Sequence, residues 1–76
     1  MHLNPAELAI HAFGGVRPLA RLLGRDPAAV SRWRKSGWIP APLLAELYQR
    51  AQVEGLDITA EDLILGAELE EEPRHD

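Results

Sequence analysis

Apolar positions recur along most of this chain at three- and four-residue spacings, the period of helices that bury one side. Leu8, Ala9, Ala12 and Phe13 form the first stripe. Asn4-Pro5 ahead of it offers a cap and a first-turn proline, and Glu7 suits a helix N-terminus. Gly14-Gly15 ends the run, so a first helix is predicted over 5–13. Leu19 and Leu23 line a second helix over 16–23, in which Pro18 is tolerated because it falls within the first turn. Val30 and Trp33, three apart, share one face of a third helix over 27–35. Pro40 and Pro42 mark the start of a fourth helix, with the stripe Leu43, Leu44, Leu47, Tyr48 and Ala51 and a stop at Gly55. Leu56 and Ile58 make a short apolar connector. Thr59 followed by Asp62 resembles a capping box and starts a fifth helix over 60–65, which carries Leu63 and Ile64 and stops at Gly66. No alternation of useful length suggests a strand, and no segment repeats. The predicted fold is all-α with five helices. Leu3, Trp38 and Ile39 are expected to fold back onto the core, the last two beside Trp33, with a place at a partner surface as the alternative for Trp38, and Tyr48 is expected within the core.

The segment Val16–Lys35, VRPLARLLGRDPAAVSRWRK, combines these signals most densely. Ala20 is small enough for a second helix to cross closely over it. Gly24 can take the positive φ of a tight turn. Asp26 is a good N-cap and Pro27 a good first helical residue. Gly37 is the natural stop. Two helices crossing steeply over a short turn, the second free to enter a groove, is the geometry of a helix-turn-helix. The outward face of the third helix carries Ala28, Ser31, Arg32 and Lys35, small and basic groups suited to base edges and phosphates.

Charge sharpens this picture. The chain of 76 residues has a formal net charge of −4, yet residues 16–35 hold Arg17, Arg21, Arg25, Arg32, Arg34 and Lys35 against Asp26 alone. That segment is +5 and the remainder −9. Nucleic-acid binding follows the local patch, so an acidic total does not exclude it. The length bounds the chain to one domain with a small core. With 46% hydrophobic and 26% charged residues it has the composition of an ordinary folded protein. There is no cysteine, which excludes a disulfide scaffold and a thiolate zinc site. No apolar run approaches the length of a membrane span and no signal peptide is recognisable, so a cytoplasmic, nucleoid-associated protein is expected. The folded domain is expected over 1–66, followed by an acidic tail at 67–76 expected to be disordered.

The segment AFGGVRPLARLLGRDPAAVSRWRKSGWIP resembles the Cro/CI-like helix-turn-helix regulators of bacteria and phages. Among them it is most similar to the small YdaS-like proteins that share glycines before the second helix, Leu-Ala and Leu-Gly within it, and Val-Ser-x-Trp and Ile-Pro after it. The resemblance covers roughly residues 6–54. It implies a compact five-helix, lambda-repressor-like DNA-binding domain, dimeric on a near-palindromic operator and acting in transcription regulation. The chain departs from many such relatives where Gln or Asn would read adenine at the start of the recognition helix; Pro27, Ala28 and Ala29 stand there. Base reading is therefore assigned to Ala28, Ser31 and Arg32. Arg32 would bond a guanine and Ala28 would pack on a thymine methyl. Arg17, Arg21, Arg25, Arg34 and Lys35 would hold the phosphates.

A single such domain contacts few base pairs, so a homodimer is expected. Leu56, Ile58, Leu63 and Leu65 are the candidate interface. A repressor is the expected regulator, since a chain this short carries no second domain. The alternatives are an antitoxin-like or other protein-interaction module with a protein partner, and a nonspecific architectural DNA binder. An enzyme is not expected: nothing near Ser31 in sequence would activate it as a nucleophile. No cofactor, metal or small-molecule ligand is predicted, and His2, His11 and His75 lack metal-ligand spacing. Glu70, Glu71 and Glu72 read as a solubilising run, with masking of the basic face as a lesser alternative.

Overall fold

The computed structural model describes residues 2–68, in the order β1 (His2–Leu3), α1 (Pro5–Ala12), α2 (Val16–Leu23), α3 (Pro27–Ser36), α4 (Ala41–Val53), α5 (Ala60–Leu65) and β2 (Ala67–Glu68). Each helix begins where its local chemistry allows. The Asn4 side chain accepts from the Glu7 N–H at 2.8 Å while the Asn4 N–H donates to the Glu7 carboxylate at 3.1 Å, so α1 opens with a full capping box. Thr59 and Asp62 make the same reciprocal pair at the start of α5, both bonds at 3.1 Å. Asp26 caps α3 by accepting from the Ala28 N–H at 3.0 Å, ahead of Pro27 in the first turn. Predicted helix limits hold to within one residue, with α1 ending at Ala12 and α3 running on to Ser36.

The helix at the centre of the packing is α1, which contacts α2, α3 and α5. Its fully buried residues are Ala6 and Ala9, whose small side chains let three neighbours come close. Of the expected stripe of Leu8, Ala9, Ala12 and Phe13, Ala9 is fully buried and the other three are half-buried, Ala12 and Phe13 packed against the core. Around α1 lie Leu19, Ala20 and Leu23 from α2, Val30 and Trp33 from α3, Leu43, Leu47 and Ala51 from α4, and Ile58 and Leu63 beside and within α5.

Two expectations for aromatic residues are corrected. Ile39 is buried as predicted, but Trp38 beside it is exposed. Ile39 precedes Pro40, which favours an extended conformation, and neighbours in extended chain point to opposite sides. Only one of the pair can face inward. Tyr48 lies at the edge of the α4 stripe and is exposed as well, since α5 covers only part of that edge.

Two residues expected in the tail belong to the fold. Ala67 and Glu68 pair antiparallel with Leu3 and His2, and His2 Nδ1 lies 3.6 Å from Glu68 Oε1. Gly66 makes this pairing sterically feasible. Its φ is +85°, and a Cβ there would collide with the Leu3 carbonyl oxygen. The Glu70–Glu72 run and His75 lie outside the described residues. Among the described residues no helix is long and apolar enough to cross a membrane.

Candidate nucleic-acid interface

The basic face is built on α2, α3 and the three residues between them. The α2 helix ends on Gly24 at φ +67° and ψ +32°, and the Arg25 N–H reaches back to the Ala20 carbonyl at 2.9 Å. A left-handed residue closed by this back-bond reverses the chain within one turn of helix. Asp26 then caps α3. Leu19, Ala20 and Leu23 on one side and Val30 and Trp33 on the other meet in the core, which fixes the outer surfaces of both helices relative to each other. The far end of α3 is tied down too. Ser36 Oγ donates to the Trp33 carbonyl at 3.1 Å, and the Ala6 N–H donates to the Gly37 carbonyl at 3.4 Å, joining the end of α3 to the start of α1.

With Val30 and Trp33 pointing inward, helical periodicity turns Ala28, Arg32 and Lys35 outward, and all three are exposed. Ser31 is on the same side but half-buried. Arg34 is exposed on the flank of α3. Arg17 and Arg21, one turn apart on α2, line an open cleft of about 260 Å³ together with Arg25 from the turn, Ala20 and Pro27. Three arginines therefore line one cleft beside the first turn of α3. Among the described residues no carboxylate lies within ion-pair distance of any of the six cations of this face; Glu46 lies 4.0 Å from Arg50 and Glu68 3.6 Å from the His2 imidazole instead. Placing like charges together without internal partners leaves their field directed at solvent, where a polyanion can neutralise it.

The residues chosen as an interface between copies fare differently. Ile58 and Leu63 are buried in the chain's own core, because α5 is sandwiched against α1 and α4. Leu56 is half-buried against the same core, and only Leu65 is free at the surface. The exposed neighbour is Ile64, which the sequence placed on the fifth helix without showing which way it pointed. Among the described residues no group of three or more His, Asp or Glu side chains is arranged to hold a metal ion. No family model, curated protein or solved structure matches the chain.

Proposed function

We propose that the chain is a sequence-specific double-stranded DNA-binding transcriptional regulator that acts as a repressor, with two copies each laying α3 in the major groove of a near-palindromic operator. The observation that carries this is the unneutralised cationic surface on the α2–turn–α3 unit. A helix with side chains is about 10–12 Å across and the major groove of B-DNA about 12 Å wide, so α3 can enter once its outer side is small or basic. Its outer side is Ala28, Ser31, Arg32 and Lys35. In this arrangement Arg32 bonds the O6 and N7 of a guanine, Ala28 contacts a thymine methyl, and Ser31 bonds a base or a phosphate. Arg17, Arg21 and Arg25 hold phosphates in their shared cleft, while Arg34 and Lys35 hold them at the other end of α3. A bound dimer then represses by occupying the path of polymerase.

The test is binding of the purified protein to the duplex upstream of its own gene, against a scrambled duplex of equal length, across a salt series. A strong preference for the upstream duplex with steep loss of affinity as salt rises supports an autoregulating repressor. Equal affinity for both duplexes overturns sequence specificity at that site and favours an architectural binder. No binding at low salt overturns the DNA reading and turns the basic face toward an acidic protein partner.

A further inference from the structure

The positions of Arg17, Arg21 and Arg25 work against the stability of the fold. Arg17 stands in the first turn of α2, at the positive end of the helix dipole, and that turn holds no acidic residue. Arg21 follows it at i+4, the spacing at which like charges repel along a helix. Arg25 comes just after the turn glycine, and all three line one cleft of about 260 Å³ with Ala20 and Pro27. Asp26, the only acid of residues 16–35, does not line it; its Oδ1 accepts from the Ala28 N–H at 3.0 Å. Three cations gathered in one recess, with no carboxylate within ion-pair distance among the described residues, call for an anion from outside. We infer that this cleft binds a free condensed phosphate, a di- or triphosphate group, and that its occupancy releases the protein from DNA.

Three features point to this chemistry. The first is charge. A duplex presents its negative charges singly, one per phosphate, with a sugar between neighbours along the strand. One backbone phosphate in the cleft leaves two of its three positive charges unanswered. A free phosphate monoester already carries about −1.5 to −2 at neutral pH, and linked phosphoryl groups carry more on one compact ion. The second is hydrogen bonding. Arginine side chains only donate, in a fork that matches phosphate oxygens two at a time, while Ala20 and Pro27 bring no polar side chain. Side chains that only donate suit a ligand that only accepts, which a phosphate chain is and a base or sugar is not. The third is size. At about 260 Å³ the cleft falls below the range of about 300–1,000 Å³ typical for whole organic ligands. It takes a phosphate chain and leaves any attached nucleoside outside. A filled cleft removes three backbone contacts from each copy and sets negative charge beside the first turn of α3, where DNA would otherwise lie.

This deepens the DNA-binding proposal by giving it a release signal, and rests on it only for the effect on DNA. The binding itself is measured without DNA, by calorimetric titration of the full chain with inorganic triphosphate in magnesium-free buffer at about 0.15 M salt. Triphosphate should bind one to a chain, about tenfold or more tighter than sulfate or orthophosphate at equal ionic strength. Arg17→Ala, Arg21→Ala and Arg25→Ala should each raise its dissociation constant about tenfold with helix content unchanged. Arg50→Ala, which removes the α4 cation beside Glu46, should leave it as it was. A nucleoside triphosphate as second titrant separates the sources. Equal affinity assigns the cleft to the phosphate chain alone, and tighter binding assigns it to a nucleotide whose base rests beyond the cleft. Triphosphate should also displace a bound duplex at concentrations where sulfate of the same ionic strength does not. Affinity no better than that of sulfate overturns the inference. Equal weakening by Arg34→Ala, on the same face but outside the cleft, overturns it too and leaves only a diffuse basic field. A duplex that stays bound while triphosphate fills the cleft overturns the release. Triphosphate binding that follows the three cleft substitutions, in a protein that binds no duplex, overturns the functional proposal alone.

Discussion

At the scale of single residues, side chains of one type do different work according to where the fold aims them. Arg32 stands on the outer side of α3, whereas Arg21 lines the cleft beside it. Under the proposed function, Arg32→Ala should cost about 1–3 kcal/mol on the operator and relax preference at one base pair. Arg21→Ala should weaken operator and random DNA alike. Competition titrations with single-base operator variants separate the two, and equal losses for Arg32→Ala on both duplexes would make it a phosphate contact. Gly66 matters for a reason that lies on another strand. Gly66→Ala forces a Cβ at φ +85° into the Leu3 carbonyl, so we expect the β1–β2 pair to open and stability to fall by about 1–3 kcal/mol in urea denaturation. The sequence showed Gly66 as a helix stop; the close approach could not be seen until residues 3 and 66 were brought together.

At the scale of elements, local chemistry determined most of what was found. The caps at Asn4, Asp26 and Thr59, the prolines that follow two of them, and the glycines after α2 and α3 are all readable within four residues of where they act. They set the helix ends because an unsatisfied backbone donor or a positive φ is a local condition. The fifth helix depends on this most, being only six residues long. Thr59→Ala should destabilise the protein by about 0.5–2 kcal/mol and fray α5 first, as read by hydrogen exchange at Leu63 and Ile64. An unchanged exchange pattern there would show that packing against α1 and α4 alone holds α5. What local chemistry did not reveal is rotation about the helix axis. The positions of α1 with no exposed surface are Ala6 and Ala9, where three neighbouring helices crowd it, while the larger Leu8, Ile10 and Phe13 lie half-buried beside them.

At the scale of the whole molecule, the chain separates its charge and its apolar surface into distinct regions. The six cations gather around α2 and α3, while large apolar side chains are exposed around α5 and at Trp38. For a DNA-bound dimer with five phosphate contacts per copy, the logarithm of the association constant should fall with the logarithm of salt concentration at a slope of roughly −9. Arg21→Ala, removing one contact from each copy, should flatten that slope by about 2. A slope near zero in fluorescence anisotropy would mean that the basic face does not meet phosphates.

The sequence by itself determined the five helices, their ends, the all-α class and the concentration of positive charge in one segment. These depend on neighbours in the chain, on the period of apolar residues and on a count of charges. Only the tertiary structure decided which apolar residues were left over. Ile58 and Leu63, equal in hydrophobicity to Ile64 and Leu65, are buried because α1 and α4 close over one side of α5. Trp38 is exposed where Ile39 is not because the connector can turn only one of them inward. Burial is settled by the packing of segments distant in sequence, and no spacing along the chain records which side of a short helix its neighbours will cover.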